Sequence, residues 1–266
     1  MRDSDRGPEE KDEVPKDTGK LLRVAVIGTG KMGRCLATLL KGSAEVTLCS
    51  RDPKKARAVA RRLGVSGAGI LEIVLSDVVI AAIPTENLVE FAEECSAIMR
   101  PDATFVDVSS VKIGIVEEVL KRLPREAGYA SIHPLFTSPL VKEKDVAFIA
   151  VRETETAGEF REALARGGAR VFETTPEEHD RATAVTQVLH HFALLAMERV
   201  LIKHARETET FKTHSLRKTL AVIRMVERNR DTVMAIQKLN RFGSGLREEF
   251  IREVEAFSAE LSAQMP

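Results

Sequence analysis

The chain of 266 residues has no tryptophan, one tyrosine and three cysteines, and Lys+Arg and Asp+Glu balance at 40 each. Each scarcity excludes something. Without a basic surplus there is no global field to attract nucleic acid. Cys35, Cys49 and Cys95 are odd in number, share no C-x-x-C spacing and fall in apolar segments. They read as reduced core residues of a cytoplasmic protein, not as a disulfide framework. No apolar run reaches the roughly 18 residues of a membrane-spanning helix, and the charged N-terminus lacks the apolar stretch of a signal peptide. The histidines lack H-E-x-x-H spacing and no Cys/His cluster occurs, so no metal is expected. Residues 1–20 carry many charges and no periodic apolar pattern, which predicts a disordered leader.

What is present begins with Val24-Ala25-Val26-Ile27-Gly28-Thr29-Gly30-Lys31-Met32-Gly33. Four apolar residues predict a buried parallel strand. The G-x-G-x-x-G follows at its end, and Arg34 to Leu40 continues with apolar residues at helical spacing. Strand, glycine turn and helix together form the dinucleotide fingerprint in its required context. Gly28 allows the tight turn, Gly30 lets the backbone approach a pyrophosphate, and Gly33 lets helix and strand pack closely. Thr29, Lys31 and Met32 complete the loop, and the helix N-terminus offers free N–H groups to the phosphates.

Glu45 to Ser50 predicts the second strand. At its end an NAD-binding fold commonly carries an acid for the adenosine 2′-hydroxyl. Ser50 and Arg51 occupy that corner here, and an arginine suits a 2′-phosphate, so NADP is expected over NAD. Asp52 and Pro53 then read as the cap and first position of a helix. Ser76 to Thr85 is a polar lead into a third strand whose carboxyl end, with Pro84, is expected beside the cofactor. A helix follows over Asn87–Met99 and a strand over Thr104–Val108. Next come a helix over Gly114–Leu123 and strands over Tyr129–Phe136, Val146–Val151 and Arg170–Thr174, with a helix over Ala157–Arg166. From Thr175-Pro176-Glu177-Glu178, which has the form of a capping box, only helical periodicity is seen: Ala184–Ile202, Leu216–Val226 and Val233–Leu261. The expected architecture is an α/β, Rossmann-type doubly wound sheet over 21–175 and an all-α domain over 176–266. The long amphipathic helices carry more apolar surface than about 90 residues bury, which predicts a homodimer joined through this half.

Three stretches, in order, resemble the prephenate and arogenate dehydrogenase family of tyrosine biosynthesis. Asp107-Val108-Ser109-Ser110-Val111-Lys112 resembles its D-x-x-S-V-K. His133-Pro134-Leu135-Phe136 resembles H-P-M-F-G, with Thr137-Ser138 replacing the usual glycine. Glu178-His179-Asp180 and Gln187-Val188-Leu189-His190-His191-Phe192 resemble E-H-D and Q-x-L-x-H-F. The likeness spans about residues 22–260. It implies NADP-dependent oxidative decarboxylation of prephenate or arogenate, giving 4-hydroxyphenylpyruvate or tyrosine.

In that chemistry a base is wanted at the ring C4 hydroxyl, and the resemblance assigns it to His133. Ser110 would hydrogen-bond the imidazole or the hydroxyl, or cap the helix starting near Lys112. The resemblance directs His191, with Gln187 four residues before it on the same helix face, to the substrate. Arg217 or Arg224, seven residues apart on one helix, would clamp a carboxylate. His179 is expected to be a structural residue at the domain junction. Two other readings fit parts of the chain. A different two-domain Rossmann reductase, acting on a hydroxy acid or a deazaflavin, would explain the glycine turn and Arg51. A nucleotide-binding redox sensor without chemistry of its own would need only the turn.

Overall fold

The structure, a computed structural model, describes residues 21–264; the leader expected at 1–20 lies outside the described residues. The first half alternates strand and helix. In order it contains β1 (Arg23–Ile27), α1 (Lys31–Leu40), β2 (Glu45–Ser50), α2 (Pro53–Leu63), β3 (Ser66–Gly69), β4 (Val78–Ala81), α3 (Leu88–Ser96) and β5 (Thr104–Asp107). It continues with α4 (Ile115–Leu120), β6 (Gly128–Pro134), β7 (Asp145–Arg152), α5 (Glu155–Arg166) and β8 (Arg170–Glu173). The eight strands form one sheet in the order β3-β2-β1-β4-β5-β6-β7-β8. All neighbours are parallel except the β6–β7 pair. The near-continuous apolar runs of the central strands follow from burial on both faces. On one face Val24, Val26 and Ile80 pack with Leu36, Leu40 and Phe160. On the other Ala25, Ile27 and Val79 pack with Leu88, Phe91 and Val119. Strand order reverses between β1 and β4, so a crevice opens beyond their carboxyl ends, where such sheets bind ligands.

The second half is helical: α6 (Pro176–Thr183), a π turn (Ala184–Leu189), α7 (His190–Lys203), α8 (Ala205–Thr210), α9 (His214–Glu227), α10 (Arg230–Leu239) and α11 (Gly243–Ala263). The capping box is present: Glu178 N–H donates to Thr175 Oγ1 at 3.2 Å, and Thr175 N–H to Glu178 Oε2 at 3.0 Å.

One expectation needs correction, and two features carry no signal in the sequence. Ser66–Gly69 forms a strand although its sequence, Ser-Gly-Ala-Gly, has no β-branched residue. A Cβ at Gly67 would lie 2.7 Å from the Arg57 Cα, so α2 can lie on β3 because the side chain is missing. The single helix expected over Val233–Leu261 is broken at Asn240. That buried side chain donates to Asp180 O at 2.8 Å and accepts from Phe242 N at 3.0 Å, so it ends α10 and turns the chain. Finally, Pro176–Lys203 runs as one helix that by length and composition could cross a membrane, although no uninterrupted apolar run marks it in sequence. Met197, Val200 and Ile202 on it, and Val254 and Phe257 on α11, are exposed. Phe192 of α7 stacks edge-on against Phe250 of α11, which sets these two helices side by side.

Candidate active site

The glycine turn lies at the sheet's reversal point. Gly28 has φ +114°, and a Cβ there would lie 2.3 Å from Ala82 O; a Cβ on Gly33 would lie 1.9 Å from Gly28 O. These two glycines seat α1 against the ends of β1 and β4. Gly30 differs, because a Cβ there would meet nothing within 4 Å. The turn therefore has an open side, and no acidic residue stands in the first turn of α1, whose N-cap is Gly30. An uncapped helix start beside open space fits a pyrophosphate. Lys31 is exposed there, with Thr29 and Met32 half-buried.

At the end of β2, Asp52 is committed to its helix: its Oδ1 accepts from Lys54 N at 2.9 Å and Lys55 N at 3.1 Å. Ser50 Oγ accepts from Asp52 N at 3.1 Å. Arg51 is 75% exposed, with a loose 3.4 Å contact to Glu94. Pro84 follows β4 and precedes a single 3₁₀ turn.

His133 sits near the carboxyl end of β6, buried, on the same sheet edge as the glycine turn. Its Nδ1 lies 2.9 Å from His179 Nε2, and His179 Nδ1 lies 2.8 Å from Asp180 Oδ1. The buried Asp180 carboxylate also accepts from the backbone N–H groups of Lys112 (3.0 Å) and Ile113 (2.9 Å). Sheet edge and α6 are thus stitched together through a row of polar groups. Burial drives the His133 imidazolium well below the ordinary histidine range, and His179 and Lys112 push the same way. His133 is therefore neutral near pH 7. His179 is lowered too, mainly by burial, with Asp180 opposing.

Below this row lies a second one. Lys112 is fully buried; its Nζ donates to Ser131 Oγ and to Ile132 O, both at 2.8 Å, and stands 3.6 Å from Asp107 Oδ1. Asp107 accepts from Ser109 N at 2.8 Å, Ser109 Oγ at 2.5 Å and Tyr129 OH at 2.8 Å. Burial by itself would raise the Asp107 carboxyl, but the Lys112 ammonium and Ser109 outweigh it and hold it low. Lys112 thereby fixes the backbone just before His133. Within this motif Val111 joins a small core with Ala184, Val188 and Ile236 of the helical half.

The residues expected at the site are not all brought together. Ser110 lies partly buried after β5, but among the described residues its side chain makes no hydrogen bond to His133; His179 takes that position, and Ser109 joins Asp107. Nor does Ser110 cap a helix, because Gly114 is the N-cap of α4. Gln187 lies in the π turn and His191 two residues beyond it. Gln187 Oε1 and His191 Nδ1 are buried with no hydrogen-bond partner among the described residues. Buried polar atoms without partners are uncommon and mark places where a ligand can bind. π turns of this kind often occur at functional sites. The irregularity is supported from outside, since Gln237 Nε2 donates to Val188 O at 2.7 Å. Arg217 and Arg224 both lie exposed on α9, with no carboxylate partner among the described residues. The role of His179 had no signal beyond its E-H-D context; its reach to His133 depends on how α6 packs against the sheet.

Residues 23–111 match the family model described as NADP oxidoreductase, coenzyme F420-dependent, and residues 175–265 match the prephenate dehydrogenase dimerization domain. A probable arogenate/prephenate dehydrogenase from Methanocaldococcus jannaschii is 24% identical over 250 residues, covering 89% of this chain and 56% of the relative. The chain spans about half the length of the curated relatives it matches. Among solved structures, the Synechocystis arogenate dehydrogenase has a TM-score of 0.72 at 18% identity, with 91% of this chain and 93% of the other covered. The A. aeolicus prephenate dehydrogenase, in complex with hydroxyphenyl propionate and NAD+, has a TM-score of 0.64 at 20% identity, covering 92% and 96%. These likenesses concern the fold.

Proposed function

Because the chain belongs to the prephenate and arogenate dehydrogenase family, we propose that it catalyses the NADP-dependent oxidative decarboxylation of prephenate or arogenate, releasing 4-hydroxyphenylpyruvate or tyrosine. The observation that carries this is His133: buried, with that burial lowering its pKa, and at the carboxyl ends of the strands beside the glycine turn. When bound, the nicotinamide supplies a hydride acceptor for ring C4. The turn Gly28–Gly33 and the start of α1 would hold the pyrophosphate, Ser50 and Arg51 the adenosine 2′-phosphate, and Pro84 would line the cofactor site. Asp52 spends its carboxylate on α2, which supports NADP over NAD.

His133 takes the proton of the C4 hydroxyl, and a neutral imidazole is the form that can do so. Ser110 hydrogen-bonds the hydroxyl in this reading. The unpartnered Gln187 Oε1 and His191 Nδ1 bind polar groups of the substrate, whose arrival satisfies them. Arg217 or Arg224 holds a carboxylate in a bidentate fork. Loss of carbon dioxide is driven by aromatisation, so orientation is what the site must provide. In this reading the 21–175 domain holds the dinucleotide and the 176–266 domain completes the substrate pocket. Two copies pair through the exposed apolar faces of α7 and α11. The compartment is the cytoplasm, in keeping with three free, buried cysteines.

The test is a reduced-cofactor absorbance assay with prephenate and arogenate, each with NADP and NAD, on wild type and His133→Asn. Turnover is expected with NADP, reduced roughly 10²–10⁴-fold in the variant while substrate affinity changes little. An acid limb below pH 6.5 should accompany it, since the base works neutral and its pKa is depressed. No turnover with either substrate, or an unimpaired His133→Asn enzyme, would refute the assignment.

A further inference from the structure

We infer that Asp180 and His179 act as positioning residues that fix the tautomer of His133 with its proton on Nδ1, leaving Nε2 as the free lone pair. A carboxylate can only accept, so the 2.8 Å contact from His179 Nδ1 to Asp180 Oδ1 must carry a proton on Nδ1. A neutral His179 then has an unprotonated Nε2. The 2.9 Å contact between that nitrogen and His133 Nδ1 therefore needs its proton on His133. His133 Nε2 is left bare. Asp180 cannot turn away, because Lys112 N and Ile113 N donate to the same carboxylate and the group is fully buried.

The row also settles where charge goes when Nε2 is protonated. The imidazolium keeps its Nδ1–H on His179, and Asp180 supplies the negative charge one ring away. The other charged groups facing the pair are Lys112, on the turn after β5, and Asp107 behind it. Their charges offset one another at 3.6 Å. Asp180 is therefore the counter-charge that remains. His133 comes from the sheet domain and both positioning residues from α6, so the base acquires its working form only when the two halves are docked. Its use as a base rests on the function proposed above; the tautomer does not.

Asp180→Asn inverts the row. The asparagine oxygen is kept on the Lys112 and Ile113 N–H groups, which turns its NH2 toward His179 Nδ1. That nitrogen must then accept, its proton moves to Nε2, and His133 Nδ1 becomes an acceptor with the proton on Nε2. Long-range proton–nitrogen NMR correlations on the cofactor-free protein, assigned by the signal lost in His133→Asn, read this directly. We expect a protonated Nδ1 at His133 in the wild type and a protonated Nε2 in Asp180→Asn. The variant's kcat should fall by roughly 10²–10⁴-fold with KM for substrate and cofactor within a few-fold, as a wrong-tautomer base requires. A wild-type His133 protonated on Nε2 overturns the inference whether or not the variant folds. So does an Asp180→Asn enzyme with the wild-type tautomer and kcat within about threefold. A protonated Nδ1 in a protein that turns over neither prephenate nor arogenate upholds the tautomer and refutes the proposed function alone.

Discussion

Replacing Lys112 by methionine removes one charge from a buried pair while nearly preserving length and volume. Lys112 Nζ stands 3.6 Å from Asp107 Oδ1, and neither side chain is exposed. At an effective dielectric constant of about 20, that attraction is about 4–5 kcal/mol. The loss cannot exceed the cost of protonating Asp107 instead. At pH 7 that cost is about 4 kcal/mol, from the distance to a reference pKa of about 3.9 at about 1.4 kcal/mol per unit. The unfilled Ile132 carbonyl, which now accepts at 2.8 Å, adds about 1 kcal/mol. Asp107 keeps its bonds from Ser109 and Tyr129. Removing the ammonium also returns the cost of burying it, the largest influence on Lys112, so we expect the variant to be about 3–5 kcal/mol less stable than wild type at pH 7, as for a buried pair that loses one partner. The sign with pH follows. The variant's Asp107 has a raised folded pKa, so the folded state binds the extra proton and the deficit narrows as pH falls from 7 to 5. Urea unfolding followed by far-UV circular dichroism measures this, since the sequence has no tryptophan to report. A deficit below about 1 kcal/mol at pH 7, or an equal deficit at both pH values, would refute the reasoning.

Four further outcomes are expected. Gly30→Ala should fold normally, its Cβ meeting nothing within 4 Å, yet bind the dinucleotide at least about tenfold more weakly by occupying the space a pyrophosphate needs. Gly33→Ala, with its Cβ 1.9 Å from Gly28 O, should lose about 1–3 kcal/mol of stability; thermal melts with and without NADP separate the two effects. Arg51→Asp should weaken NADP by about 1–3 kcal/mol and NAD far less, because only the 2′-phosphate needs the guanidinium, and titration with both dinucleotides decides it. Tyr129, the one tyrosine, is buried against Asp107, and burial followed by that carboxylate raises its pKa far above the usual 10. Ultraviolet titration should show no tyrosinate while the protein is folded. The stability Tyr129 contributes is complete below pH 10 and is lost above it; a reversible ionisation near pH 10 in the folded state would contradict the burial.

Much of the molecule was legible along the chain because its signals are local. The Val24–Ile27 run and the glycine turn mark a buried strand entering a helix whatever lies around them. Thr175-Pro176 and Glu178 satisfy their own backbone groups within one turn. Asp52 declares its helix by the same means. β3 carried no such signal, since Gly67 is there to let α2 approach, and nothing near it in sequence says so. Asn240 interrupts an apolar pattern that continues across it, because its partners, Asp180 O and Thr183, lie sixty and fifty-seven residues away.

The same division runs through the site. Sequence alone determined the dinucleotide turn, the strand-end position of His133 and the helical placement of Gln187 and His191, because each depends on residues adjacent in the chain or one helical turn apart. Only the tertiary structure decided what touches His133. The expected partner, Ser110, is twenty-three residues earlier; the one observed, His179, is forty-six residues later. Hydrogen bonds of under 3 Å between side chains so far apart depend on the angle at which α6 meets the sheet. The two halves meet where Val111 packs against Ala184, Val188 and Ile236, and no local pattern encodes that contact.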